Sequence, residues 1–500
     1  MPMCSYNALG SAACARRWGS HGSAGALRGR NLVRYPGSMR ARTRRLLTWL
    51  TGVPILILLA LRLLSKGFLP VFGTSGKRQE PHSAGIPGLL RRQQHSHRPR
   101  DESRPPAYTA GLYMTGRRPG NVSACQWRYG LPHSLSYPVK NLEWSPEAGE
   151  RGPYRVLSSV ILGAHSPPKE PFQELPRLTL CTHATADQVY AVVELARRWE
   201  GPLSMAIFVP GMDAALAVSL LDRACHCEPE MFKVSVHLVF PTGYPPALEP
   251  GIHPENNCAA SDLQWREEET VRRIHDMVYP INVARNVARM KAYTNQVLVS
   301  DIELLPSKNL ASGFLEMIRG RVPRARVVFV TPVFEIESNE VPPSTKKELL
   351  AAARSGLAVY FHRFQCAHCQ RFPGLTRWML RPDPGRVKPL IVTKREFPHH
   401  RWEPVFVGTR DDPFYTEDMS WEGRQDKMTQ MFEMCLLNYR LVVLDGAFLV
   451  HTPGIKRKPT RNKNSQDDGI HMHVKKNARV YQNVVQRLQQ QYPMNRRCRQ

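Results

Sequence analysis

The middle of the chain alternates short apolar runs with segments whose apolar residues recur at helical spacing. The runs at 178–185, 203–209 and 233–240 predict buried β-strands. The segments between them, 187–199 and 214–225, each place apolar residues on one helical face and predict helices. Strands separated by helices indicate a parallel sheet with right-handed crossovers, so the fold class is α/β.

The same alternation continues around a further apolar run at 296–300. Upstream, 261–280 predicts a charged, mostly exposed helix, and 281–294 predicts a helix whose apolar side leads into the run. Downstream, 307–319 predicts a helix and 326–337 predicts another strand. The sheet is therefore expected to continue on both sides of the run.

Two carboxylates, Asp301 and Glu303, follow this run one residue apart. The carboxyl ends of strands are where α/β sheets bind ligands. Alternate side chains of an extended segment point the same way, so the pair is placed to share one hard cation. The alternative is a solvated acidic turn after a strand.

An apolar segment at 46–64 carries one charge, Arg62, and follows an arginine-rich leader. Its length approaches the ~20 residues that span a bilayer. The leader is too long for a cleaved signal peptide. A start at Met39 would shorten it, but the run would still exceed the usual ~7–15 apolar residues of such a peptide. Basic residues on the N-terminal side keep that side cytoplasmic, which predicts an uncleaved anchor and a type II membrane protein.

These features predict four regions. Residues 1–45 form a basic cytoplasmic tail and 46–64 a transmembrane signal anchor. Residues 65–150 are rich in Pro, Gly, Ser, Arg and His, cannot bury enough apolar surface to fold, and form a stem or linker. Residues 151–500 form a lumenal domain. The sequon Asn121-Val-Ser lies in the predicted stem.

The formal charge of +27 suggests a nucleic-acid partner, but its distribution argues against one. Residues 1–100 carry a net +16 and residues 453–500 a net +10, so 101–452 carries only +1. A near-neutral body without a zinc-finger, RNA-recognition or helix-turn-helix signature is not a nucleic-acid-binding domain.

Eleven cysteines are present, nine of them after the apolar segment. Cys366-Ala-His-Cys369 could be half of a zinc site or a redox pair. The second paired candidate, Cys225-His-Cys227, has the wrong spacing for the other half, and no thioredoxin-like pattern surrounds either. Structural cysteines, bridged or buried, are expected, and the odd number leaves at least one thiol free.

Several spaced motifs between about 154 and 495 together resemble glycosyltransferase family 49, which holds β-1,4-glucuronyltransferases and the glucuronyl-transferring domains of LARGE-type enzymes. They are, in order, Tyr279-Pro-Ile-Asn-Val-Ala-Arg-Asn-Val-Ala288, the acidic pair with Pro306-Ser307, Thr331-Pro-Val-Phe-Glu-Ile336, Lys347-Glu-Leu349, Cys366-x-x-Cys-Gln370, Thr376-Arg-Trp378, Trp402-Glu-Pro404 and Phe448-Leu-Val-His451.

The resemblance implies a GT-A fold and metal-dependent transfer of a sugar from a UDP-sugar. The family's Asp-x-Asp motif holds Mn²⁺ against the donor diphosphate, and its place is taken by Asp301 and Glu303, with Glu where relatives use Asp. His451 is implied as the third ligand. A set of carboxylates and one imidazole suits Mn²⁺ or Mg²⁺. From the residues alone, His451 is predicted to be a hydrogen-bonded histidine at the end of a strand.

Five side chains are candidates for binding the donor. Thr182 and His183 end the first strand of the sheet, at its ligand-binding edge. The resemblance implies donor contact for Arg285 and Asn286, whose alternative is a helix-face ion pair and cap. Lys456 lies five residues after His451 and is predicted to contact the diphosphate. The alternative is that its side chain is solvated.

Moving glucuronate from an α-linked UDP donor into a β-linkage inverts the anomeric carbon, so single displacement needs a general base. The resemblance implies a carboxylate-rich turn before a helix, within 411–427. Asp418 is the first choice and Glu417 the second, and the alternative for either is a helix cap.

The resemblance thus predicts a Golgi enzyme that transfers glucuronate from UDP-glucuronate to a xylose-ended, O-mannosyl-type glycan, with other Golgi glycosyltransferases as candidate partners and no nucleic acid. The alternatives are a transferase using UDP-N-acetylglucosamine or UDP-xylose, and a lumenal homologue that binds a glycan or partner with weak or no activity.

Overall fold

The computed structural model describes residues 122–498 except 169, 171, 249–257, 259–269, 321–325, 339 and 458–466. It contains strands that form two sheets. They are β1 Gln126–Trp127, β2 Leu142–Trp144, β3 Tyr154–Leu162, β4 Thr179–Thr185, β5 Leu203–Phe208, β6 Val234–Pro241, β7 Gln296–Val299, β8 Leu304–Pro306, β9 Val327–Val330, β10 Val333–Ile336, β11 Ala358–Tyr360, β12 Lys388–Thr393, β13 Phe406–Thr409, β14 Arg440–Asp445 and β15 Leu449–His451.

The helices of the described residues lie between these strands and after the last one. They are α1 Val192–Arg198, α2 Asp213–Cys227, α3 Val271–Ile274, α4 Ile281–Met290, α5 Leu310–Ile318, α6 Lys346–Arg354, α7 Leu375–Leu380, α8 Met428–Leu436 and α9 Asp467–Gln491. Short 3-10 segments at Val139–Asn141, Ala186–Ala191 and Pro229–Lys233 supplement them.

The larger sheet is mixed, with strand order β1-β3-β6-β5-β4-β7-β13-β9-β14-β12 and β2 paired to β3. Its centre, β6-β5-β4-β7, is parallel. The predicted strands at 178–185, 203–209 and 233–240 and the parallel pairing between them are confirmed. Antiparallel neighbours such as β3 and β13 flank this centre, so the sheet is not parallel throughout.

The central strands are buried because both faces of the sheet are covered. Every residue of β4 and β5 is buried, although β4 contains three threonines and a histidine. On one face, α4 packs Ile281, Val283 and Val287 over the centre of the sheet. The other face carries the main core, formed with α1 and α2.

The smaller sheet has the order β11-β10-β15-β8. Its register sets Glu335 of β10 beside His451 of β15, and His451 beside Leu304 of β8. Because β8 starts directly after the acidic pair, this sheet brings residues about 150 positions apart in the chain to one place.

Two predicted elements differ in length from those of the structure. The strand expected over 326–337 is divided, because Thr331 and Pro332 interrupt it and pass the chain from the larger sheet to the smaller one. Of the helix expected over 261–280, residues 261–269 lie outside the described residues. After Thr270, only Val271–Ile274 is helical, and the chain turns at Asp276, whose φ is 45°.

The predicted boundary between linker and domain, at residue 150, is too late. Strands β1 and β2 pair with β3 of the larger sheet. A disulfide between Cys125 and Cys225 fastens this segment to α2. Its Pro- and Gly-rich composition does not prevent folding, because the sheet already formed by the domain supplies the surface it packs on.

The prediction of structural cysteines is confirmed in the described residues. Four disulfides join Cys125 to Cys225, Cys227 to Cys258, Cys366 to Cys369 and Cys435 to Cys498. Cys181 is the free thiol among them and is buried in β4.

The predicted tail at 1–45, the anchor at 46–64 and the sequon asparagine lie outside the described residues, as does the stem before residue 122. None of the described helices combines the length and apolar character required to cross a membrane.

Candidate active site

The acidic pair lies in a tight turn between β7 and β8. The Leu304 N–H donates to the Asp301 carbonyl at 3.0 Å, which closes the turn, and Ile302 is buried beneath it. The expectation that the two acids share one side of an extended segment is therefore wrong. The turn instead leaves both carboxylates partly exposed, at 30% for Asp301 and 35% for Glu303, with different partners.

Asp301 is surrounded by nitrogen donors from three elements. Its Oδ1 accepts from His183 Nε2 at 3.1 Å and from Arg285 Nη2 at 3.0 Å, and its Oδ2 lies 3.5 Å from Lys427 Nζ. Burial alone would raise the pKa of Asp301, but Lys427 and Arg285 hold it well below its usual value. The carboxylate is therefore ionised and able to attract a cation.

His183 contacts both Asp301 and the buried Tyr279. Its Nδ1 lies 2.8 Å from the Tyr279 hydroxyl, and burial lowers the pKa of the ring. A neutral ring that accepts from Tyr279 donates its Nε2–H to Asp301, which fixes the carboxylate's orientation. The structure thus places His183 as a support for the acidic turn.

Glu303 pairs with His451 from the neighbouring strand. His451 Nε2 lies 3.1 Å from Glu303 Oε2, and its Nδ1 lies 3.1 Å from the Gly454 carbonyl. Because a carbonyl only accepts, Nδ1 carries a proton, and the Nε2 of a neutral ring then faces the carboxylate with a lone pair. A cation bound between them would relieve this repulsion. An imidazole held by a backbone carbonyl at its other nitrogen is the usual arrangement of a metal ligand.

The donor chemistry of Asp301, Glu303 and His451 fits a hard divalent cation, but the three do not form a closed cage. Among the described residues, one group of three potential ligands has all its ligand atoms within 4.8 Å of one another: Cys366, His368 and Cys369. Its two sulfurs are joined in a disulfide, which removes the thiolates that zinc requires.

Two further side chains, not singled out individually from the sequence, lie close to His451, because β10 pairs with β15 and sets Glu335 beside it. Glu335 accepts a hydrogen bond from the His362 N–H at 3.1 Å, and burial raises its pKa. Burial, with the charges of Lys456 and Lys427, lowers the pKa of His362 to about 4. Glu335 lies within a family motif, but no local pattern marks His362, which reaches the site through the pairing of β10 with β11.

The five predicted donor-binding residues occupy different positions. Lys456 is exposed; burial acts to raise the pKa of Glu303, but His451 and then Lys456 lower it below its usual value. Arg285 is buried between Asp301 and Asp426, and bonds to both. The Thr182 hydroxyl is buried and has no hydrogen-bond partner in the described part of the chain. Being next to His183 in a strand, it points to the other face of the sheet.

Asn286 holds the loop that contains the predicted base. Its side chain donates to the Tyr415 carbonyl at 2.8 Å and to Glu417 Oε1 at 3.0 Å. Glu417 also accepts from the backbone N–H groups of Glu147 and Ala148, both at 3.1 Å. The Glu417 carboxylate is therefore engaged in holding two loops together.

Asp418 is exposed, and its charge contributes to raising the pKa of Glu147. In the described residues, neither Asp418 nor Glu417 forms a hydrogen bond or ion pair with Asp301, Glu303 or His451. The structure does not bring the two predicted base residues together with the predicted metal ligands, and the assignment of the base stays a prediction.

Comparison with known proteins defines the class of this site. The sequence profile of a family described as "Glycosyl-transferase for dystroglycan" matches residues 177–493, a stretch that contains every predicted site residue. The chain belongs to this family and is a glycosyltransferase, as the sequence motifs predict.

The names of the individual relatives are more specific than the description of the family. Beta-1,4-glucuronyltransferase 1 of Danio rerio is 28% identical over 69% of this chain and 82% of its own length, and that of Homo sapiens has the same values. The human xylosyl- and glucuronyltransferase LARGE2 is 25% identical over 57% of this chain and 34% of its own.

Among solved structures, a crystal structure of S. aureus TarS 1–349 covers 55% of this chain and 60% of its own, with 11% identity and a TM-score of 0.30.

Proposed function

We propose that this chain is a Mn²⁺-dependent, inverting β-1,4-glucuronyltransferase of GT-A fold, which transfers glucuronate from UDP-glucuronate to a xylose-ended, O-mannosyl-type glycan. The curated relatives named glucuronyltransferases support the donor. The family's description supports an acceptor of the dystroglycan type. The predicted location, as a type II Golgi membrane protein with a lumenal catalytic domain, belongs to the same proposal.

One observation carries the proposal: two partly exposed carboxylates at the end of a central strand, with His451 presenting Nε2 to one of them. Asp301, Glu303 and His451 would hold Mn²⁺, or Mg²⁺ in its place, together with oxygens of the donor diphosphate. When bound, the ion supplies charge neutralisation for the departing UDP.

The remaining side chains have roles that do not depend on the ion. His183 and Arg285 hold Asp301 in one orientation, and the Gly454 carbonyl does the same for His451. UDP-glucuronate carries a diphosphate and a carboxylate, and Lys456 is placed to meet one of these anionic groups.

Transfer by the full-length chain to a β-xyloside tests this proposal, with UDP-glucuronate, UDP-N-acetylglucosamine and UDP-xylose as donors. We expect product from UDP-glucuronate, loss of product after chelation, and recovery with Mn²⁺. Mg²⁺ can screen the charge on the leaving group as Mn²⁺ does, so recovery of product with Mg²⁺ would also support a cation site.

The outcomes separate the alternatives. Transfer from a different UDP-sugar would overturn the donor and leave the class of enzyme intact. Absence of both turnover and UDP binding would contradict the enzymatic proposal and favour a lumenal homologue that binds a glycan or a partner protein.

A further inference from the structure

Lys427 holds its ammonium group against the acidic turn. Its Nζ lies 3.5 Å from Asp301 Oδ2. Of the three side chains that contact Asp301 through a nitrogen atom, Lys427 is the most exposed, at 15%, against 5% for His183 and 2% for Arg285. A molecule that binds at the turn can therefore reach the Lys427 ammonium more readily than either of the other two groups.

The backbone on both sides of Lys427 is held by side chains. Asn282 donates to the Asp426 carbonyl at 2.8 Å, directly before Lys427. In the first turn of α8, Gln430 donates to the Pro413 carbonyl at 2.8 Å. The position of the backbone is thus fixed, while the four-carbon side chain of a lysine can still move its charge between neighbouring partners.

The Lys427 ammonium is not fully committed to the protein. In the part of the chain that the structure describes, its polar contact is the one to Asp301. Because an ammonium has three N–H donors, two are left for a ligand or for water. Arg285 differs, since its Nη1 contacts Asn282 and Asp426 and its Nη2 contacts Asp301. The guanidinium is therefore a structural cation, and the ammonium is the available one.

The charge balance around Lys427 depends on what Asp301 binds. Arg285 lies between Asp426 and Asp301, and Lys427 shares the negative charge of Asp301 with it. Once Asp301 and Glu303 hold a divalent cation, their charge is neutralised and the cation repels the ammonium. A partly buried ammonium without a counter-charge is unfavourable. The loaded site therefore favours a further anionic group beside Lys427.

The donor proposed above carries two kinds of anionic group, a diphosphate and the carboxylate at C6 of the sugar. Two lysines lie on different sides of the turn: Lys427 contacts Asp301, and Lys456 follows His451, which faces Glu303. Lys456 is exposed, whereas Lys427 is partly buried. A partly desolvated cation is the better one for discrimination, because a neutral group in place of the carboxylate would leave it unpaired.

We propose that Lys427 recognises the carboxylate of the donor sugar and thereby selects a uronate over a neutral hexose. The proposal rests on the function proposed above and adds the side chain that determines donor specificity. The ammonium forms a charge-assisted hydrogen bond to the sugar carboxylate when cation and donor bind, in place of its contact with Asp301. Lys456 is then left for the diphosphate.

The test uses a pair of donors that differ only at C6. UDP-glucose has a CH₂OH group where UDP-glucuronate has the carboxylate, and UDP alone lacks the sugar. Calorimetric titration of the full-length chain with each of the three, in the presence of Mn²⁺, separates the contribution of the carboxylate from that of the diphosphate. The wild type should bind UDP-glucuronate more tightly than UDP-glucose.

Lys427→Met is expected to weaken the binding of UDP-glucuronate by about 10- to 100-fold, the effect of losing a hydrogen bond between charged groups. The affinities for UDP-glucose and UDP should change by less than about threefold, because neither has the carboxylate. Lys427→Arg keeps the positive charge and should retain part of the preference for UDP-glucuronate. Asp301 is still held by His183 and Arg285 in both variants, so the temperature of unfolding should stay close to that of the wild type.

Two matched controls carry the same substitution at other lysines. Lys456→Met should weaken all three ligands to a similar degree, because they have the diphosphate in common. Lys308 is exposed and belongs to neither group of contacts, so Lys308→Met should change none of the affinities. The preference for UDP-glucuronate over UDP-glucose should therefore disappear in Lys427→Met and persist in both controls.

Equal losses of affinity for UDP and UDP-glucuronate in Lys427→Met would assign Lys427 to the diphosphate and overturn the proposal. A preference for UDP-glucuronate that survives in Lys427→Met would overturn it as well. Should Lys427→Met not fold, Lys427→Gln takes its place, and unfolding of both would make the residue structural and reject its role in specificity. A wild type without any preference for UDP-glucuronate would instead reject the donor proposed above, and the assignment with it.

Discussion

Replacing Asp301 by Asn is expected to lower transfer activity by about a thousandfold or more, which is the order seen when a group that stabilises developing charge is lost. The amide is neutral and one of its two oxygens becomes an NH₂ group. It can neither attract a divalent cation as a carboxylate does nor accept from His183, Arg285 and Lys427 together.

The measurement is kcat/KM with Mn²⁺ at saturation, with thermal unfolding to establish that the variant is folded. Asp276→Asn is the matched control, because Asp276 is exposed and Asn tolerates its left-handed φ of 45°. Activity of Asp301→Asn within about tenfold of the wild type would be incompatible with a metal-binding role for this turn.

Replacing Lys346 by Met is expected to lower the free energy of unfolding by about 3–5 kcal/mol, the usual cost of breaking a buried ion pair from one side. Lys346 Nζ lies 2.6 Å from Asp445 Oδ1, and both side chains have no exposed surface. Arg381 is 3.9 Å from the other carboxylate oxygen and is partly exposed, so it cannot replace the lost charge at contact distance.

Denaturant unfolding of Lys346→Met, Asp445→Leu and the double variant measures this effect. The double variant should recover most of the lost stability, because apolar side chains of similar volume can replace a buried pair. Lys308→Met, at an exposed lysine, is the control and should be neutral. A single variant as stable as the wild type would show that the pair contributes nothing.

The parallel centre of the fold was accessible from the sequence because its signal is local. The runs that form β5 and β6 are mostly apolar, as expected of strands buried on both faces, whereas β4 contains three threonines and a histidine between its apolar residues. His451 was accessible for a different reason: it ends a short apolar strand and lies within a recognisable family motif.

The details that shape the site depend on contacts that no local pattern records. The turn at Asp301 is closed by a backbone bond to Leu304, and the pairing of β8 with β15 then brings Glu303 to His451. Both are consequences of tertiary packing, which overrides the alternation expected of an extended strand.

Charged groups distant in the chain were the least predictable. Lys346 and Asp445 are 99 residues apart, and Arg285 and Asp426 are 141 residues apart, yet each two form a buried or partly buried ion pair. Single-sequence patterns identify charged residues but cannot say which of them become neighbours. The strands at 126–127 and 142–144 were missed for a related reason, because they form only against β3.

We propose above all that Asp301, Glu303 and His451 bind the divalent cation of a UDP-sugar transferase. Anomalous scattering at the manganese absorption edge, from crystals grown with Mn²⁺ and UDP, tests it most directly. We expect one strong peak in contact with these three side chains and with the diphosphate. A diphosphate bound without manganese at this turn, or manganese bound only elsewhere, would contradict it.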